Sequence, residues 1–337
     1  MRILWLRPSK GDNISVRRER IAEKLRERGY DIDICDATGF DAVSAIKKAV
    51  TNDYDVIAGN VRVGLYIGYP LSQILRKPFL GDVSDPISDI NYLPEPLFRF
   101  FEWYEWKVLQ RADATVFVYE STHQKALKRN INDAVKLPNA VNYDAFADPD
   151  EEVIEKAKKI LTENTVDPEK PIAIYIGVLS PSYLIRNILD TAEVTPDWEF
   201  VFLGEGPLES EVQQRTTDIE NAHFPGAFPY QLMPGFLDQA DVGFCFKDAE
   251  QPLKLKEYGA AGIPAIVRPG ELERWYNDEE LAFVEPDPNS ISAELNKLSS
   301  NSEMRDTYGR NLQTIAKKYS WERVADGYHQ LFKKIRK

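Results

Sequence analysis

Cysteine and histidine are scarce in this chain. Its 337 residues include two cysteines, Cys35 and Cys245, and three histidines, His123, His223 and His329. Two cysteines far apart in sequence exclude a disulfide-stapled scaffold and fit a reduced compartment. No histidine has metal-ligand spacing to a cysteine or to another histidine, so no zinc site is expected. No run of 18 apolar residues occurs, so no segment is expected to span a membrane. Basic residues are in the minority: 42 Lys and Arg against 54 Asp and Glu leave a formal charge of −12. That excludes a general nucleic-acid binder, which needs a basic footprint. The apolar start around Leu4 and Leu6 is too short for a signal peptide and reads as a buried strand. The expectation is a cytoplasmic enzyme.

What is present is an ample core and a regular alternation. Hydrophobic residues make up 43% of the chain, and its length suggests two domains. Short apolar runs predict strands at Ile3–Leu6, Asp31–Cys35, Val56–Ala58, Phe79–Leu80, Thr115–Tyr119 and Val135–Leu137. The pattern repeats at Ile172–Ile176, Phe200–Leu203, His223–Phe224, Val242–Phe246, Ala265–Val267 and Ala282–Val284. Amphipathic stretches lie between them. Strand-helix alternation of this kind implies mostly parallel sheets covered on both faces. The fold class is therefore α/β: two doubly wound, Rossmann-like domains. The expected divisions are 1–165, 166–319 and a closing helix at 320–337. In such sheets ligands bind beyond the carboxyl ends of the strands, and two sheets facing each other would form a cleft lined by strand-to-helix loops.

The segment Pro252–Pro264 stands out. Lys254 and Glu257 are three residues apart, which on a helix puts both on one face. Pro252 suits the first turn, and Gly262 and Pro264 stop the helix before the apolar run Ala265–Val267. A helix start carrying a lysine, with a carboxylate one turn on, suits a ligand with both phosphate and ribose. From spacing alone, a surface helix with an ion pair fits equally well. Gly177 and Ser180, then Gly204-Glu205-Gly206-Pro207, each follow a strand and precede a helix, where glycine lets a backbone approach a diphosphate. Lys247-Asp248-Ala249-Glu250 brings charged groups able to orient sugar hydroxyls. Lys10 and Gly11 lie in a first strand-to-helix loop that is neither a P-loop nor a dinucleotide fingerprint. The densely aromatic Phe98–Lys107 predicts an interior helix, with a membrane-surface helix as the alternative.

These blocks together resemble a known family. Tyr175-Ile176-Gly177, Trp198 to Leu208, Phe224 to Tyr230, Ala240 to Phe244 and Pro252 to Pro264 arrive in one order with fitting gaps. The chain resembles the retaining GT-B glycosyltransferases of the GT4 type (glycosyl transferases group 1). Arg17 to Leu25, Leu137-Pro138-Asn139 and Ser320-Trp321-Glu322 extend the likeness over nearly the whole length, the last as the start of a helix that crosses back to the first domain.

The resemblance implies transfer of a sugar from a UDP- or GDP-linked donor, with retention of configuration. The acceptor would be a glycan, a lipid-linked saccharide or a polysaccharide. It implies no cofactor and no metal. Glu257 would hold the donor ribose and Lys254 would lie near its phosphates. Gly177 would let the diphosphate approach, Ser180, Glu205, Gly206, Pro252 and Leu253 would bind the donor, and Phe228 and Tyr230 would edge the base. Glu250 would serve as a second acid. Lys10, Gly11, Asp82 and Asp85 fall on the acceptor side, and peripheral contact with the inner face of the cell membrane would run through the N-terminal domain.

Three donor-side positions depart from the family pattern, and on the acceptor side Asp82 to Asp85 stand where many members have a histidine. Where many members carry an acid, an arginine and a lysine, this chain has Ala249, Val178 and Tyr183. Either Glu250 acts from a shifted loop or the sugar is held differently, and either Arg186 or Lys254 alone meets the phosphates. A non-catalytic binding protein of the same fold and a sugar-nucleotide epimerase are the competing readings.

Overall fold

All twelve apolar runs are strands, and all pair in parallel. The structure is a computed structural model, and it describes residues 1–8, 16–84, 93–131, 133–250 and 252–336. The first six strands are β1 (Arg2–Arg7), β2 (Asp31–Asp36), β3 (Val56–Asn60), β4 (Phe79–Val83), β5 (Ala114–Phe117) and β6 (Ala134–Lys136). The second six are β7 (Ile172–Ile176), β8 (Glu199–Leu203), β9 (Ala222–Gly226), β10 (Val242–Cys245), β11 (Ala265–Val267) and β12 (Ala282–Phe283). They form two sheets, ordered β2-β1-β3-β4-β5-β6 and β12-β11-β10-β7-β8-β9. Helices between the strands cover both faces. Central strands such as β3, β4, β7 and β8 are therefore buried at every residue, as parallel sheets require.

The chain divides into two compact units. One comprises residues 1–139 and 321–337, the other residues 140–320. The division falls at 139, whereas the expected one was at 165. The cause is the helix Glu151–Glu163, which the expected division left with the first domain. Its Ala157 and Leu161 are buried in the core of the second unit with Phe236 and Leu237. The helix Trp321–Ile335 belongs to the first unit. Its Tyr328 and Phe332 rings pack on Trp5, with centroids 5.2 and 6.4 Å away.

A polar network fixes that returning helix. Asp82 in β4 is fully buried. Around it stand the Tyr328 hydroxyl, the Asn60 amide and the guanidinium groups of Arg17 and Arg18. Burial pushes the Asp82 carboxyl up, and the two arginines oppose the shift. Arg17 also donates to the Leu137 and Pro138 carbonyls at 2.8 and 2.6 Å.

The aromatic helix spans Glu95–Leu109 and meets neither expectation in full. Its C-terminal half buries Glu105, Trp106, Val108 and Leu109, while Leu97, Phe100 and Trp103 are exposed. No helix among the described residues is long and apolar enough to cross a membrane.

Candidate active site

The helix after β10 runs from Leu253 to Ala261, with Pro252 at its N-cap rather than inside its first turn. Nearly all of it is buried, including three charged residues. Lys254 is 9% exposed, Lys256 1% and Glu257 5%. The surface-helix reading therefore does not hold. Among the described residues Lys254 forms no ion pair with any carboxylate, Glu257 included.

The Lys254 ammonium reaches the loop after β7. It donates to the Tyr175 hydroxyl at 3.2 Å and lies over the Tyr175 and Tyr183 rings, 4.4 and 4.3 Å from their centroids. Cations over aromatic faces gain electrostatically when desolvated, but the rings carry no charge to balance the ammonium. Burial pulls the Lys254 pKa down from 10.5 to about 8, opposed by Cys245 and Glu257. The site thus holds a cation that lacks a carboxylate at ion-pair distance.

Glu257 points the other way, toward the loop after β9. Its carboxyl is raised from 4.5 to about 6 by burial. A hydrogen bond from Tyr230 and the charges of Lys254 and Lys256 counter that rise. The Tyr230 ring in turn packs edge-on against Phe146, centroids 5.7 Å apart. Tyr230 was expected at the edge of a base; in the structure it is a hydrogen-bond partner of Glu257. Phe228 is half-buried, its ring 5.2 Å from Phe236.

The glycines work differently from the expectation. The Gly177 N–H is already spent on the Leu203 carbonyl at 2.8 Å, so it is not offered to a phosphate. What its missing Cβ leaves room for is the Lys254 ammonium, at a φ of 129°. At Gly206 (φ 153°) a Cβ would stand 2.5 Å from the Leu179 carbonyl oxygen, and at Gly204 it would overlap the Gly177 carbonyl. These two glycines let the loop after β8 press against the loop after β7. The Leu179 N–H donates to the Glu205 carbonyl, and the Leu208 N–H donates to the Leu179 carbonyl, both at 2.9 Å. The Tyr175 hydroxyl donates to the Val178 carbonyl at 2.6 Å and fixes the same turn.

The other candidates divide. Glu250 is buried, just ahead of the Pro252 helix. Pro252 and Leu253 are half-buried at the helix start. Ser180 shares a hydrogen bond with the Ser182 hydroxyl, 3.0 Å away on the loop surface, and the Glu205 side chain is exposed. Arg186 is drawn away into a bidentate pair with Glu211, at 2.6 and 2.7 Å, and is not the missing phosphate contact. Asp82 is sealed inside the first unit, so the acceptor-side expectation for it fails on access. Lys10, Gly11 and Asp85 lie outside the described residues. Sequence reasoning did not see the convergence of Tyr175, Tyr183 and Lys254, because it joins residues some seventy positions apart.

Two six-stranded parallel sheets in separate units, with a buried cation and acid beyond the strand ends of the second, define a protein of the GT-B class. Residues 154–314, within the second unit, match the model of the family described as Glycosyl transferases group 1. Anabaena Alr3699/HepE, solved in complex with UDP and glucose, superposes with a TM-score of 0.77 at 15% identity, over 98% of both chains. Sucrose-phosphate synthase from Thermosynechococcus elongatus gives 0.76 at 17% identity, again over 98% of both. Among curated proteins, the "Putative teichuronic acid biosynthesis glycosyltransferase TuaH" of Bacillus subtilis (strain 168) is 25% identical over 220 residues. That match takes in 59% of this chain and about half (53%) of TuaH.

Proposed function

We propose that this chain transfers a glycosyl group from a nucleoside-diphosphate sugar, UDP- or GDP-linked, to a glycan, lipid-linked or polysaccharide acceptor, with retention of configuration. The observation that carries the reading is the buried pair on the helix Leu253–Ala261. Lys254 and Glu257 sit beyond the carboxyl ends of β7, β9 and β10, where open parallel sheets receive ligands. An ammonium with no carboxylate at ion-pair distance suits a diphosphate. A carboxylate held by one tyrosine suits the paired hydroxyls of a ribose. Similarity to HepE, which binds UDP, and to TuaH, whose name refers to teichuronic acid biosynthesis, favours a UDP-sugar and a polymer acceptor.

Chemically, departure of the sugar leaves negative charge on the diphosphate. A desolvated ammonium fixed by Tyr175 and Tyr183 stabilises that charge without reorganising, which is the economical form of electrostatic catalysis. The test is a panel of UDP- and GDP-sugars, scored by calorimetric binding and by nucleoside diphosphate release with candidate acceptors. Retention is read from the anomeric configuration of the product by NMR. A protein that binds no nucleotide sugar and no nucleoside diphosphate does not have this function.

A further inference from the structure

Resting on the donor site just proposed, a second feature of the same loops points to a diphosphate contact that the family pattern does not supply. Val178 and Tyr183 occupy positions where a cation was expected, and Arg186 is engaged elsewhere. Yet a second ammonium arrives from another direction. Lys247, two residues beyond the end of β10, folds back so that its Nζ lies 5.3 Å from the centroid of the Tyr183 ring. It also lies 3.5 Å from the Ser182 hydroxyl oxygen. Lys254 Nζ lies over the same ring at 4.3 Å.

Two ammonium groups on one aromatic ring repel each other. Lys247 is among the charges that disfavour the protonated form of Lys254. Among the described residues neither lysine forms an ion pair with a carboxylate. Lysines at a polypeptide surface relieve such repulsion by extending into water, since each stem has several free torsions. Lys247 remains half-buried against Tyr183 instead. Exposed acids lie close by in sequence, but Asp248 is turned to the Glu271 N–H at 2.9 Å. An anion carrying more than one charge, spread over two centres, would balance the arrangement.

We propose that Lys247 and Lys254 together bind the two phosphates of the donor, with the Tyr183 ring as the common post that sets their separation. Lys247 thereby takes the place of the loop cation that this chain lacks.

Calorimetry on the full chain tests this, with UDP, GDP and uridine as probes. Lys247→Ala is expected to weaken the nucleoside diphosphate by about ten- to a hundredfold, as loss of a charge-assisted contact does, and to leave uridine binding as it was. Lys247→Arg is expected to recover most of the loss. In a double-mutant cycle with Lys254→Ala, the two losses should couple rather than add. A Lys247→Ala protein with unaltered thermal stability and unaltered UDP and GDP affinity overturns the proposal while leaving the donor site intact. Equal weakening of uridine also overturns it, because the contact then is not to phosphate. Failure of the unmodified protein to bind either diphosphate removes the functional reading itself.

Discussion

Donor affinity should depend on pH in a way that reads both buried groups directly. Lys254 has a pKa of about 8 in the free protein and Glu257 about 6. A bound diphosphate favours the protonated lysine, and ribose hydroxyls favour the ionised acid. Affinity for a nucleotide sugar should therefore be highest between pH 6 and 8. Above pH 8 the free protein must first take up a proton, so affinity falls by up to about tenfold per pH unit. Below pH 6 the same holds for proton release from Glu257. Lys254→Met should lower the plateau by about 1.5–3 kcal/mol, the value of a charged hydrogen bond, and should abolish the alkaline limb. The assay is calorimetric titration of UDP-glucose at half-unit steps from pH 5 to 9, in wild type and variant side by side. That comparison cancels titration of the nucleotide itself. A wild-type affinity that is level from pH 7 to 9, or an alkaline fall shared equally by Lys254→Met, refutes the contact.

Other outcomes follow from the same geometry. Because Lys254 titrates lower in the folded chain than its ordinary 10.5, its charge opposes folding. The cost is fully present below pH 8 and is relieved as pH rises toward 10.5. Lys254→Met should therefore stabilise the free protein at pH 7 by up to about 3 kcal/mol, and a lowered melting temperature there would contradict this. Gly206→Ala, at a φ of 153° and against the Leu179 carbonyl, should cost about 1–3 kcal/mol in denaturant unfolding. An unchanged midpoint would show that the loops are not interlocked. Asp82→Ala should cost on the order of 3 kcal/mol by leaving Arg17 and Arg18 without their buried acid. Lost activity with undiminished stability would restore Asp82 to the acceptor side.

Much of this molecule could be read in its residues, for a definite physical reason. Central strands buried on both faces, such as β3, β4, β7 and β8, need near-continuous apolar runs and so announced themselves. Short helices did not: Tyr143–Ala147 and Met233–Asp238 have five and six residues, too few to display a helical period. The charged helix Glu151–Glu163 gave no sign of belonging to the second unit, because only Ala157 and Leu161 on it are buried. At the site, the Lys254 and Glu257 spacing was visible, but their burial was not. Three charges in four residues ordinarily mark a solvated face. Only the packing of residues around Tyr175 and Tyr183 shows where Lys254 goes. The roles of Gly204 and Gly206 were hidden for a related reason. A sequence shows where a Cβ is absent, not which neighbour occupies the space.

That mutual grip of the loops after β7 and β8 has a further meaning. Backbone bonds from Leu179 and Leu208 tie the turns together before any donor arrives. The conformational entropy of shaping them is therefore settled when the chain folds, not at each encounter with a substrate. On the proposed reading, a sugar nucleotide entering here would meet a preformed cradle, and its attraction to the lysines would not be diluted by having to organise the walls around it.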